Sequence, residues 1–332
     1  MSSPVVSVVM PCYDAEAFVA DAVRSVLAQS FADLELLVTD DGSTDGSLAC
    51  LAPFASDARM RVLTLSHGGP GRARNAGLAA ATGRIVAFLD ADDRWEPGHL
   101  ERLVGALDAN PGRFVYTGGT SVGAEGPRPI HDAGYVPAAT FRDLFVDVHI
   151  ASPGAFAARR GDLLAVGGFP EDPAWIGSED RALYLSLARA GVLPAYLPGG
   201  GLLYRRHLGQ LTSRRATFLK AKLAVRAAFA DATAGEPPVR LVPEAEARAV
   251  LGTVAYDLAY ALLDVDLEES RSAYAQAISF DWEIARGTRA ISYLRKRRRA
   301  WWKRVPIVGS LLSGARRAMR GRPAGSVSGP TA

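Results

Sequence analysis

Residues 88–97, FLDADDRWEP, set four carboxylates (Asp90, Asp92, Asp93 and Glu96) directly behind the apolar run 85–89. Like charges this close repel, so folding stability does not select them. Three kinds of chemistry use such a group: solvated turns, a hydrolytic acid/base pair, or ligation of a hard cation. Mg²⁺ and Mn²⁺ take oxygen ligands and keep only one or two protein carboxylates, the rest being water and phosphate oxygens. Asp90 and Asp92, alternate residues at a strand end, can reach one small volume. Asp40-Asp41 and Glu179-Asp180 form further acidic pairs, and Arg72, Arg74, Arg205, Arg206 and His207 are candidate partners for a diphosphate.

These groups need elements that carry them. Residues 5–10 read as a buried β-branched strand ended by Pro11. The spacing of Phe18, Ala22 and Val26 predicts a helix over 14–29. A second strand is expected over 34–39, running into Asp40-Asp41, and 42–47 is turn chemistry leading to a short helix. A third strand over 61–65 precedes a glycine-rich loop, 67–71, and a helix over 72–81 stopped by Gly83. The fourth strand ends at Asp90. Beyond Pro97 the pattern predicts a helix to Asn110, a strand over 114–117, a loop-rich stretch over 118–134 and a short helix capped by Thr140. A strand to Ala158, a helix over 179–190 with Ser178 as N-cap, and the last sheet pieces in 193–204 complete it. The alternation argues an α/β fold with a mostly parallel central sheet flanked by helices. Ligands of such sheets bind beyond the carboxyl ends of the strands, so the acidic clusters should converge on one crevice.

Seven motifs run in order along the chain: VSVVMPCYD (6–14), VLAQSF (26–31), TDDGSTDGS (39–47), GRARNAGL (71–78), FLDADD (88–93), SED (178–180) and YRRHLGQLT (204–212). Together they resemble bacterial glycosyltransferase family 2, with the GT-A nucleotide-sugar fold, over about residues 6–213. The resemblance implies a Rossmann-like GT-A core and an inverting enzyme that moves a single sugar from a nucleotide diphosphate sugar to an acceptor hydroxyl. It places Pro11 and Tyr13 at the nucleotide base, Asp41 as acceptor of a base N–H, and Arg74 at the base or diphosphate. Asp90 would touch the ribose or a metal-bound water, Arg206 the diphosphate, and Asp92 with His207 a divalent Mn²⁺ or Mg²⁺. Asp180 would be the general base, and Asp93 a cap for the turn. Asp14 stands where the family often has Asn. The Gln-x-x-Arg-Trp motif of processive synthases is missing, which favours single transfer. Two rivals remain at this stage: a two-carboxylate glycosidase working through Asp92 and Asp180, and a non-catalytic module that binds a nucleotide sugar.

The chain has 332 residues, 48% of them hydrophobic, enough for a core and against disorder. Cys12 and Cys50 are too few for a disulfide framework and read as reduced, packed thiols. The start carries no secretory pattern, and no apolar stretch approaches the ~18 residues of a membrane span. Three parts are expected: a GT-A catalytic domain over 1–215, a helical domain over 216–285, and a basic amphipathic tail over 286–332, partly disordered. Residues 286–322 hold 13 Lys/Arg and no Asp or Glu, against a net charge of +3 for the whole chain. The cluster at 295–304 contains Trp301 and Trp302, with Pro306 as a kink, and Ile307, Val308, Leu311 and Leu312 follow. Basic residues interleaved with tryptophan and aliphatic groups point to an anionic membrane surface rather than nucleic acid. The expected setting is therefore cytoplasmic, on the inner face of the cell membrane, with a carbohydrate or lipid-linked acceptor in polysaccharide or glycolipid biosynthesis.

Overall fold

The computed structural model describes residues 3–131, 134–147, 150–207, 214–234 and 239–304. By packing, the chain forms two units, one up to Leu251 and one from Gly252 onward.

The first unit opens with β1 (Val6–Cys12), α1 (Val19–Leu27), β2 (Leu34–Asp40), α2 (Ser47–Leu51), β3 (Met60–Thr64), α3 (Pro70–Ala80) and β4 (Ile85–Phe88). Next come β5 (Arg94–Trp95), α4 (His99–Ala109), β6 (Arg113–Val122), β7 (Arg128–Pro129), α5 (Phe141–Val146), β8 (Phe156–Arg159) and α6 (Arg160–Ala165). It continues with α7 (Glu179–Arg189), β9 (Leu193–Arg205), α8 (Arg215–Phe229), the short strands β10 (Thr233–Ala234) and β11 (Val239–Arg240), and the start of α9 (Glu244–Leu262). The second unit adds α10 (Leu267–Phe280) and α11 (Thr288–Arg304) to the rest of α9.

The main sheet runs β3-β2-β1-β4-β8-β6-β9-β5, with β7 paired to β6. The first four strands are parallel; β1, β2 and β4 are buried on both faces, and β3 is the more exposed edge. The α/β class holds, with one refinement. β8 enters antiparallel to both β4 and β6, and β5 is antiparallel to β9, so the far half of the sheet is mixed. β1 lies between β2 and β4, so the chain turns back on itself there. That is the place where an open sheet forms a crevice at its carboxyl edge.

Local differences from the sequence reading have local causes. α1 starts at Val19, not at Asp14, because the residues before it are tied to the 43–47 loop. The Ala15 N–H donates to Ser47 Oγ at 2.8 Å and the Glu16 N–H to Asp45 Oδ2 at 3.0 Å. From Val19 the spacing behaves as expected, with Val19, Ala22, Val23 and Val26 buried. β6 runs on to Val122 through a stretch read as loop, with a register shift between Thr117 and Gly119. The glycines that argued for a loop instead allow a bulge. Thr140 caps α5 through a capping box with Asp143. Ser178 sits at the N-cap of α7 without a side-chain cap bond; the Gly177 N–H is taken by Glu179 Oε2 at 2.6 Å.

The packing division after Leu251 falls later than residue 215, because α8 closes the first unit. Arg226 and Phe229 are buried there, and Arg226 Nε donates to the Phe145 carbonyl at 2.9 Å. In the second unit Tyr293 of α11 is buried, stacked 4.0 Å from Tyr274. Its hydroxyl lies 3.1 Å from Ser270 Oγ. The start of the basic segment is thus a packed helix, with Ile291 50% and Leu294 52% exposed on its outer side. Pro306, the aliphatic group after it and the Gly235–Pro238 break lie outside the described residues. No helix among the described residues is long and apolar enough to cross a membrane.

Candidate functional site

A cleft of about 520 Å³ opens at the carboxyl edge of β1, β2 and β4. Pro11, Tyr13, Asp41, Arg74, Asp90, Asp92, Asp180 and His207 all line it. Eight of the nine site residues expected from sequence meet there, although they span positions 11 to 207. The ninth, Arg206, is exposed and outside the lining, and its N–H pairs with the Val122 carbonyl at 2.7 Å. Arg206 lies just past the end of β9, and Tyr204 and His207 on either side of it line the cleft. Arg205 stacks over Phe18 at 4.8 Å, and the Phe18 ring also lies 4.7 Å from His207.

The nucleotide end is built by two loops. Asp14 takes a positive φ of 46°, a conformation Asp tolerates as Asn does, and accepts the Thr44 N–H on Oδ1 at 2.8 Å. This bend leaves Tyr13 47% exposed at the lip. Asp41 is buried, and both its carboxylate oxygens are engaged. Oδ1 accepts the Gly68 N–H at 2.9 Å and Oδ2 the Gly69 N–H at 2.8 Å. Gly69, at φ 93°, gives the loop a turn that a side chain would strain. His67 Nδ1 lies 3.1 Å from Asp41 Oδ2, and its ring is 4.3 Å from that of Tyr13. His67 received no role from sequence. Its signal was position alone, three residues past the end of β3.

Arg74 departs furthest from expectation. It is only 5% exposed, and its guanidinium is committed to two carboxylates. Nη2 donates to Asp90 Oδ1 at 2.7 Å and Nη1 to Glu179 Oε1 at 2.8 Å. Burial opposes its charge, but the two carboxylates more than offset this and raise its pKa. The side chain ties α3, the end of β4 and the start of α7 together, and that tie brings Asp180 to the cleft. Sequence spacing could not show a bond across 105 positions.

The acidic turn after β4 keeps its repulsion. Burial, then the Asp90 charge, raise the Asp92 pKa, and the His207 ring at 3.0 Å from Asp92 Oδ2 opposes the rise. Asp93 is raised well above the usual carboxylate range by burial, then by Asp92 and Asp90. Its Oδ1 accepts the Arg205 N–H at 2.8 Å, so it ties the turn to β9. Ser152 Oγ lies 3.3 Å from both Asp90 Oδ2 and Asp93 Oδ2. Asp180, partly buried, is pushed up to about 6 by burial and then by Glu179. Cys12 lines the cleft as a buried free thiol, pushed up to about 12 by burial.

Among the described residues no three His, Cys, Asp or Glu side chains form a ready metal cage. The donors present are one carboxylate and one imidazole, Asp92 and His207. That set fits a hexacoordinate Mg²⁺ or Mn²⁺ that keeps most positions for water and phosphate oxygens.

This arrangement, with a half-parallel mixed sheet and an acidic cleft at its carboxyl edge, is that of a GT-A fold. The structure of S. aureus TarS 1-349 in complex with UDP-GlcNAc matches with a TM-score of 0.63 at 20% identity, covering 93% of this chain and 92% of that one. The mannosyltransferase PcManGT from Pyrobaculum calidifontis, in complex with GDP-Man and Mn²⁺, matches with a TM-score of 0.57 at 20% identity, covering 92% and 89%. Residues 7–166 match the family model Glycosyl transferase family 2. The E. coli UDP-Glc:alpha-D-GlcNAc-diphosphoundecaprenol beta-1,3-glucosyltransferase WfgD is 40% identical over 117 residues, 35% of this chain and 46% of that protein. Such curated relatives are matched over 31% to 50% of their own length. Residues 7–166, just under half of this chain, are thus similar to glycosyl transferase family 2, a family of sugar-transferring enzymes.

Proposed function

We propose that the protein transfers one sugar from a nucleoside diphosphate sugar to an acceptor hydroxyl, with inversion, in cell-surface polysaccharide or glycolipid biosynthesis. The observation that carries this reading is the meeting of Asp41, the Asp92–His207 pair and Asp180 in one cleft. Tyr13 offers its ring to the nucleotide base, and Pro11 and the Asp41-held loop shape the floor of that end. Asp92 and His207 would hold a divalent ion, which stabilises charge growing on the departing diphosphate. Asp180 accepts the proton of the attacking hydroxyl, and burial has tuned it toward neutral pH for that task. Asp90 faces the cleft with one carboxylate oxygen tied to Arg74. Arg74 holds the site together from behind the donor. The functional boundary is placed near residue 215, with acceptor choice falling to the loop at 118–136 and the helices beyond.

The donor end is tested by thermal shift with nucleoside diphosphates, with and without Mn²⁺. One nucleotide at about 100 times its Kd should add about 2.7 kcal/mol of stability in the presence of Mn²⁺. Asp92→Asn should lose the metal-dependent part. An equal shift in excess chelator would defeat the metal reading.

The acceptor is proposed to be lipid-linked and met at an anionic membrane surface. Support comes from α11, where Ile291 and Leu294 face outward beside Arg295 and Arg297. The full chain should float with vesicles containing anionic lipid at low salt. Ile291→Glu with Leu294→Glu, or neutral vesicles, should leave it at the bottom of the gradient. Flotation that persists in both cases rules the surface out.

A further inference from the structure

A second cavity, of about 100 Å³, adjoins the cleft and shares Ala151, Gly177 and Asp180 with it. Its other walls are Leu144 at the end of α5, Ile150, Tyr184 and Arg181 of α7, and Phe218 of α8, with Asp147 and Ser178. Tyr184 follows Asp180 by four residues, one helical turn, so the two side chains share a face of α7. The Tyr184 side chain is fixed by aromatic contacts, its ring 4.9 Å from Phe156 and 6.0 Å from Phe114. The residue is only 3% exposed, and its hydroxyl has no hydrogen-bond partner among the described residues. Buried hydroxyls are nearly always paired, and an exception calls for a missing partner. Burial, then the Asp180 charge, hold this phenol well above its usual range, so it stays protonated and can donate. Arg181 Nη1 donates to the carbonyls of Leu144 and Asp147 at 2.8 and 2.9 Å. At ~30 Å³ per water the cavity holds about three waters, or a group of about four non-hydrogen atoms.

On the reading of Asp180 as the base that faces the acceptor, we propose that this cavity is an acceptor subsite for a small neutral carbonyl-bearing substituent, of the N-acetyl kind, next to the attacking hydroxyl. Tyr184 Oη donates to the carbonyl oxygen, and the methyl group packs on Leu144, Ile150 and Phe218. Tyr184 is then a specificity-determining residue that acts on the acceptor side alone.

The test titrates the full chain with methyl N-acetyl-α-D-glucosaminide and methyl α-D-glucoside, followed by ligand-observed NMR. These probes differ by acetamido against hydroxyl. The acetamido glycoside should bind about tenfold more tightly, the difference one buried hydrogen bond and a packed methyl supply. Tyr184→Phe should cut that preference to about twofold, and Ile150→Phe, which fills the cavity, should remove it. Both variants should keep the melting shift produced by nucleoside diphosphate with Mn²⁺, which also reports that they fold. No binding of either glycoside, equal binding by the unaltered chain, or a preference that survives both substitutions overturns the subsite. Loss of the nucleotide shift in the unaltered chain instead sinks the cleft reading on which it rests.

Discussion

Asp180→Asn is expected to lower kcat by about 10²–10⁴, the usual contribution of a general base, while making the protein more stable. Both effects follow from one cause. Burial, and then the Glu179 charge, push the Asp180 carboxyl from an ordinary 3.8 up to about 6. Below that pH the carboxyl carries a proton and cannot accept another. The acid limb of kcat/KM should therefore fall about tenfold per pH unit below about 6 and level off above it. Stability moves the other way. A carboxyl whose pKa is raised by folding binds its proton more tightly in the native state, so native stability falls as pH rises from about 4 to about 6. At pH 7 the unaltered chain carries that full cost, and asparagine removes it. The variant should gain on the order of 1–2 kcal/mol at pH 7 and nothing near pH 3, read from melting curves at both values. Full activity in the variant, or an acid limb unmoved by the substitution, would falsify the assignment.

Arg74→Met should destabilise the first unit by about 3–5 kcal/mol, a loss of about 10 °C in Tm. Methionine approximates the length of the side chain but leaves Glu179 buried and Asp90 facing it without a cation. The cost lies less in the lost attraction than in the carboxylates left behind. Restoring neutrality tests this directly. Adding Glu179→Gln to Arg74→Met should recover part of the lost stability, whereas on the unaltered background Glu179→Gln should be destabilising, since it weakens one of two charge-assisted bonds. Additive losses in the double variant would show that the Arg74 contacts with Asp90 and Glu179 are not coupled. Nucleotide binding should weaken along with stability in Arg74→Met, because the same side chain joins the β4 end to α7. A variant with unaltered Tm and lost nucleotide binding would instead return Arg74 to the direct phosphate role expected from the motif.

Much of the cleft could be read from residue types and their order. Parallel strands buried on both faces read as unbroken apolar runs, and each of β1, β2 and β4 ends in residues that can do chemistry. Where a strand stops and polar residues start is a local property of the chain, so the acidic ends Asp41, Asp90 and Asp92 stood out from it, whereas Pro11 and Tyr13 came from the family motif. Asp180 was found from a motif, because an acidic first turn of a helix has an ordinary local explanation. Arg206 lies just past β9 and outside the cleft lining, which the order of residues in the motif did not show. The bulge in β6 was hidden by glycines, which mark turns and strand irregularities alike.

By itself the chain determined where β1, β2 and β4 end, which of those ends are acidic, and the family they resemble. These depend on neighbours within a few positions, where periodicity and side-chain chemistry act directly. Only the tertiary structure decided that Arg74 pairs with two carboxylates, that Asp41 clamps the loop holding His67, and that Tyr184 has no hydrogen-bond partner among the described residues. Each is a pairing, or a missing pairing, set by how α3 and α7 pack on one sheet edge. The free energy of a buried polar atom depends on which groups arrive from far along the chain, and no local pattern records that.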